Sequence, residues 1–223
     1  MVPPPAPAMT AWFGPRGALA EAFADHLRTS AVERGLLGPR EVPRLWSRHI
    51  LNCAAVSPLL PSAAQVVDVG SGAGLPGLVL AIAREDVTVT LVEPLLRRVA
   101  WLEEVTADLG LTNVSVLRAR AEEVRTEWAD IATARAVAPL AKLSAWCLPL
   151  VRPGGVMLAI KGRSAGEELE ATRDTLPLLG AVAWEVRELG ADLLDEPTTV
   201  VEIRKGDAGV PARRGGRRGR ARR

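Results

Sequence analysis

Tyrosine is missing altogether from these 223 residues, and the chain holds only two cysteines, two histidines and two phenylalanines. No mechanism can therefore draw on a phenol as acid, base or stacking ring. Cys53 and Cys147 are isolated from each other, which excludes a disulfide framework and a cysteine zinc cluster and points to a cytosolic protein. No metal site is expected. No apolar run approaches the roughly 18 uncharged residues that cross a bilayer. The opening Met1-Val2-Pro3-Pro4-Pro5-Ala6-Pro7 lacks a basic stretch followed by an apolar one, so no signal peptide is read there. Residues 1–17 are expected to be a disordered proline-rich lead-in.

What remains suits one α/β domain with modest extensions: 48% of the residues are hydrophobic, enough for a packed core. The net charge of +2 hides an asymmetry. Residues 206–223 carry seven arginines against Asp207, a net +6, which leaves −4 on residues 1–205. The basic, glycine-rich tail is expected to be disordered. Composition fits both a nonspecific phosphate-binding arm and a solubilising tail.

Helical periodicity marks 18–37, where Leu19, Phe23, Leu27 and Ala31 form a stripe. A second helix is predicted over 43–60, with Pro43 at its start. Together they make an N-terminal helical segment, 18–62. A domain over 63–205 then alternates strand and helix. Strands are predicted at 65–69, 87–92, 114–119, 130–134, 156–160, 182–188 and 198–204, and helices at 76–84, 95–109, 139–151 and 164–178. Ser164-Ala165-Gly166-Glu167 fits a capping box for the last helix. The pattern implies a doubly wound, Rossmann-like, seven-stranded and mostly parallel sheet, closed by an antiparallel edge hairpin from the last two strands. Nothing in the sequence demands an oligomer, and a monomer is expected.

Chemistry concentrates after the first strand, in Asp68-Val69-Gly70-Ser71-Gly72-Ala73-Gly74-Leu75-Pro76-Gly77. Alternating glycines let backbone approach a nucleotide-like ligand at a helix start. Gly72 to Gly77 spells the dinucleotide pattern G-x-G-x-x-G, but its first glycine lies too far past the strand, and Pro76 removes an amide donor. The frame Asp68-x-Gly70-x-Gly72-x-Gly74 fits S-adenosylmethionine (SAM) better: the acid can orient the loop and receive the methionine ammonium, directly or through water. Glu93 ends the next strand, where a carboxylate accepts from ribose hydroxyls. Ala121 and Glu122 follow the third strand, where a short side chain and an acid can read an adenine edge. An acid-rich helix start explains them equally well.

Several stretches recur in a fixed order: Arg48-His49-Ile50-Leu51, the glycine loop with its Leu75-Pro76-Gly77 continuation, Arg97-Arg98, Arg118-Ala119-Arg120-Ala121-Glu122-Glu123, Arg135-Ala136 and Leu158-Ala159-Ile160-Lys161-Gly162. The series, spanning 18–205, resembles the glucose-inhibited division protein B family of small-subunit rRNA guanine-N7 methyltransferases. The resemblance implies a class I SAM-dependent methyltransferase fold, with SAM contacts at Gly70, Leu75, Ala121, Glu122 and Arg135. It implies 16S rRNA of the small ribosomal subunit as partner, and N7 of guanine 527 in the 530 loop as target. Two departures touch the N-terminal segment: Gly35 to Glu41 replaces an Asn-Leu-Thr stretch, and Asn52 stands where the family has Asp.

Guanine N7 has a lone pair and no proton, so in-line attack needs no general base, and no catalytic residue is assigned. Positioning and a dry pocket carry the rate. Arg48, His49, Arg97, Arg98, Arg135, Lys161 and Arg163 are the candidate RNA contacts. His49 also lies on an apolar stripe with Trp46, Ile50 and Cys53, which favours a core role for its ring. Trp46 and Trp101 are the stacking candidates, Trp101 being expected to pack on the fold instead. Cys147 reads as a buried structural thiol. Other readings stay open on residues alone: a methyltransferase acting on another RNA or a small molecule, a noncatalytic RNA-binding module, and an NAD oxidoreductase.

Overall fold

The computed structural model describes residues 3–124, 128–135 and 138–207. The proline-rich start is not the disordered lead-in that its composition suggests. It folds as α1 (Ala6–Phe13), which buries Ala8, Trp12 and Phe13. A proline within the first turn is compatible with a helix start, because its missing amide hydrogen would have no partner there. The arginine-rich tail, from 208 onward, lies outside the described residues.

The helix predicted over 18–37 is broken. α2 (Gly17–Arg28) buries Ala20, Phe23, Ala24 and Leu27. Thr29 (φ −109°, ψ −93°) then leaves helical geometry before the short α3 (Ser30–Glu33). The break turns the Ser30 hydroxyl toward the core, where it accepts from the Trp101 indole at 2.9 Å. Trp101 is fully buried and packs on the fold, as expected. The second predicted helix, 43–60, also divides. A 3₁₀ segment (Pro39–Arg44), a π-helical turn (Leu45–Ile50), α4 (Leu51–Ala54) and a 3₁₀ turn (Ser57–Leu59) follow one another. Pro39, Pro43 and Pro58 remove the amide donors that one regular helix would need.

From Gln65 onward strands and helices alternate as predicted. They are β1 (Gln65–Val69), α5 (Gly77–Ala83), β2 (Thr88–Val92), α6 (Leu96–Asp108), β3 (Val114–Leu117), β4 (Ala129–Arg135), α7 (Leu140–Cys147), β5 (Val151–Lys161), α8 (Ala165–Thr172), β6 (Ala181–Leu189) and β7 (Thr198–Lys205). The sheet order is β3-β2-β1-β4-β5-β7-β6. Strands β1 to β5 are parallel, β7 runs antiparallel to β5, and β6 pairs with β7 as the edge hairpin. α8 stops at Thr172, short of the predicted 178. The Ser164–Glu167 capping box does not form; the Ser164 hydroxyl instead donates to the Glu168 carboxylate at 3.0 Å.

Apolar layers cover both faces of the sheet, as a buried parallel sheet requires. Val66 packs on one side with Leu78, Ile82 and the helices of the N-terminal segment. Val67 and Val69 pack on the other with Leu143, Cys147 and Leu150. Burial pushes the Cys147 thiol far up, which fits a structural residue rather than a nucleophile. The strand order reverses between β1 and β4, so the crevice at their carboxyl ends is where an open α/β sheet binds its ligand. Among the described residues no helix is long and apolar enough to cross a membrane.

Candidate active site

The glycine loop joins β1 to α5 at this crevice. The amides of Gly70 and Ser71 donate to the Val92 carbonyl at 2.8 and 3.2 Å, which ties the loop to the end of β2. Asp68 lies beneath the loop with no solvent exposure, and its Oδ2 accepts from the Gly77 amide at 3.0 Å. The acid thus orients the loop and the start of α5. A Cβ on Gly77 would sit 2.7 Å from that same oxygen and collide with Leu91. Gly74 has a φ of +75°, and a Cβ there would lie 2.5 Å from Leu78 Cδ1.

Asp68 Oδ1 is buried and has no hydrogen-bond partner. Burial pushes the carboxyl up to about 7; the Gly77 amide and then the nearby Ser71 hydroxyl pull it back, and the negative charge of Glu93 pushes it further up. A buried carboxylate with a spare acceptor beneath a glycine cradle suits a ligand that brings a positive charge, as the SAM ammonium does.

Glu93 is only 1% exposed. Its Oε2 accepts from the Gly72 amide at 3.0 Å, and its Oε1 accepts from Leu95 at 3.0 Å. Arg98 approaches Oε2 at 3.5 Å. Each carboxylate oxygen keeps acceptor capacity for a ribose hydroxyl. Arg98 is thus drawn to Glu93, whereas its neighbour Arg97 is exposed. Ala121 and Glu122 lie in a 3₁₀ turn (Ala121–Glu123), with Ala121 buried and Glu122 exposed. Leu75 packs partly buried on the core, followed by a cis Leu75–Pro76 bond.

Beyond β4 and β5 a cleft of about 1200 Å³ opens. Arg48, Arg135, Lys161 and Arg163 line it together with Trp46. The cations differ in their freedom. Arg163 is exposed. Arg48 is also exposed and approaches Glu41 at 3.7 Å. Lys161 is committed internally: its Nζ pairs with Glu168 at 2.7 Å and donates to the Ala138 carbonyl at 3.0 Å. Trp46 is only 4% exposed, so little of its ring is open for stacking.

Arg135 and His49 form one unit. Arg135 Nη2 donates to the Arg48 carbonyl at 2.9 Å and to His49 Nδ1 at 3.0 Å, while Nη1 reaches Cys53 Sγ at 3.4 Å. An arginine cannot accept, so Nδ1 is the acceptor and Nε2 carries the proton, which it donates to Glu41 at 2.9 Å. Burial, then the Arg135 charge, lowers the His49 pKa, which keeps the ring neutral. The hydrogen bond from His49 is the main cause holding the Glu41 carboxyl below its usual range. His49 is therefore buried, as its stripe suggested, yet it serves as a polar link.

Sequence reading missed Glu41, Glu168, and the cleft walls from Pro3, Pro5 and Leu193 to Pro197. Glu41 precedes His49 by eight residues across an irregular turn, so no helical or strand spacing exposes the pair. Among the described residues no group of three or more His, Cys, Asp or Glu side chains could hold a metal ion.

Comparison with known proteins places this geometry among methyltransferases. The family model GidB, rRNA small subunit methyltransferase G, matches residues 17–195. The ribosomal RNA small subunit methyltransferase G of Arthrobacter sp. (strain FB24) is 57% identical over 197 residues, covering 88% of this chain and 91% of that protein. The protein of the same name from Salinispora tropica is 51% identical over 233 residues, covering 97% and 96%. Among solved structures, a putative SAM-dependent methyltransferase from Methanococcus maripaludis aligns with a TM-score of 0.59 at 15% identity, over 86% of this chain and 94% of that one. That likeness shows the fold.

Proposed function

The chain belongs to the GidB family of rRNA small subunit methyltransferases G, and from that membership we propose that it methylates N7 of one guanine in the 530 loop of 16S rRNA, using SAM. The observation that carries the proposal is the adjacency of two features at the carboxyl edge of the sheet. One is a glycine loop with a buried, half-satisfied Asp68; the other is a cation-lined cleft beginning at Arg135.

Bound SAM supplies an electrophilic methyl group on a sulfonium. Asp68 would hold the ammonium, Glu93 the ribose, and Ala121 with Glu122 the adenine edge. Gly70, Gly72, Gly74 and Leu75 would bring backbone against the body of the cofactor. Arg135, fixed by His49 and the Arg48 carbonyl, would set the boundary between cofactor and base. N7 loses no proton on methylation, so the site needs no base. Its task is to align N7 with the methyl group and exclude water. Arg163, exposed on the cleft, and Arg48, exposed there beside Glu41, are the cations placed to meet phosphate, with the exposed Arg97 at the start of α6. Lys161 would brace the cleft through Glu168.

The test is methylation of small subunits, or of 16S rRNA, from cells lacking the enzyme, followed by mapping of the modified base. N7-methylguanine in the 530 loop is the expected product. Methylation at another base or atom would overturn the proposal.

A further inference from the structure

Sheet register lays a polar row across the floor of the cleft. Lys161 on β5 stands opposite Thr199 on β7, and Thr199 stands opposite Glu188 on β6. Directly opposed residues share a face, and all three line the cleft. Strands lie about 4.8 Å apart, so the backbone of Glu188 is about 10 Å from that of Lys161. The neighbouring Arg187 turns to the other face and pairs with Glu202 at 2.7 Å.

The carboxylates of the cleft are not equivalent. Glu168 is occupied: it accepts from Leu140 and Ser164 and pairs with Lys161. Glu188 is exposed, and its side chain has no hydrogen bond or ion pair with any described residue. Asp195 and Glu196 also line the cleft, but from the loop between β6 and β7. Glu188 stands on a strand paired along its length, which fixes its position more firmly than a loop can.

Guanine accepts hydrogen bonds at N7 and O6 along one edge and donates from N1 and its 2-amino group along another. Set with N7 toward the cofactor, a guanine in the cleft would turn those donors away from it, and the hairpin wall with Glu188 lies on the side of β5 away from β4. An ionised carboxylate accepts from both donors at once. Adenine offers no donor at N1 and no 2-amino group. We infer that Glu188 is the specificity-determining residue that reads the Watson–Crick edge of the target guanine. This inference rests on the N7 reading above.

The experiment compares wild type, Glu188→Ala and Glu188→Gln on 16S rRNA carrying either guanine or inosine at the target position. Inosine lacks only the 2-amino group. Wild type should favour guanine by about tenfold to hundredfold in kcat/KM, the range for a hydrogen bond to a charged group. Glu188→Ala should lose that preference, with kcat/KM on the guanine RNA falling by a similar factor. Glu188→Gln should retain part of it. Calorimetric affinity for SAM and the melting temperature should stay at wild-type values in both variants, because Glu188 is exposed and stands on β6, with β4, β5 and β7 between it and the strand that leads into the glycine loop. An active Glu188→Ala enzyme with the wild-type guanine-to-inosine ratio overturns the assignment alone. A wild-type enzyme that methylates neither RNA overturns the N7 reading and this assignment with it.

Discussion

Arg135 Nη2 lies 3.0 Å from Nδ1 of His49, and that contact joins the carboxyl end of β4 to the π-helical turn of the N-terminal segment. It fixes the histidine tautomer, and through Nε2 it carries the link on to Glu41. One guanidinium thus holds together the two parts of the chain that form the cleft.

Replacing Arg135 with Lys keeps the charge and loses the fork. We expect Arg135→Lys to lower stability by about 1–3 kcal/mol, because the His49 ring and the Arg48 carbonyl lose a shared donor. Methylation should fall at least tenfold. Chemical denaturation and steady-state rates measure the two effects. Wild-type stability in Arg135→Lys would show that the link is idle.

The neutral His49 gives the link a pH dependence. Its folded-state pKa is lowered by burial and by Arg135. A lowered histidine pKa contributes stability above the unfolded-state value of about 6.5, and that contribution is lost as pH falls below it. A His49→Gln variant should therefore lose less stability than wild type between pH 7 and pH 5. Parallel melting curves across that range check the sign.

Asp68 works in the opposite direction. Its carboxyl is raised to about 7, mainly by burial. A raised pKa makes the cofactor-free protein most stable below the unfolded-state value near 4, with stability lost as pH rises through about 7. Asp68→Asn should flatten this loss between about pH 4 and pH 7 and weaken SAM binding sharply. SAM binding near pH 7 should also release a proton from Asp68, giving a calorimetric enthalpy that varies with the buffer. Buffer-independent binding would contradict the ammonium role.

Gly77 has no room for a methyl group. A Cβ would meet Leu91 and Asp68. Gly77→Ala should cost about 1–3 kcal/mol by overpacking and reduce SAM affinity, because the Asp68 carboxylate must move. Thermal melts with and without SAM separate the two losses.

Trp12 ties α1 to the hairpin loop: its ring lies 3.2 Å from where a Cβ on Gly190 would stand. Trp12→Ala should destabilise by about 3 kcal/mol through the cavity it leaves. Pro3 and Pro5 line the cleft, and the Pro5 carbonyl also accepts from the Met9 amide at the start of α1. Deleting residues 2–4, which leaves that cap in place, should alter KM for RNA more than the melting temperature or the SAM affinity.

The alternation of strand and helix was legible in the sequence because each element has its own period, and β1 was predicted to the residue. The glycine loop was legible for the same local reason: an acid, alternating glycines and a helix start lie within ten residues. The N-terminal segment was not. Prolines that look like disorder in a composition count begin a helix at α1, and others divide the helix predicted over 43–60 into turns of different pitch. Burial of Trp12, Phe13 and Leu45 against the rest of the fold decides those outcomes, and no local spacing records it.

The sequence by itself determined the sheet, the glycine loop and the residue types gathered near it. Only the tertiary structure decided which charges are free. Lys161, Arg98 and Arg135 carry the same formal charge in the sequence as Arg48 and Arg163. Yet Lys161 and Arg98 face the internal carboxylates of Glu168 and Glu93, and Arg135 is held by the Arg48 carbonyl and the His49 ring. Those partners stand from 5 to 87 residues away along the chain. A side chain's charge is written in its own residue, but its availability depends on what the fold packs against it.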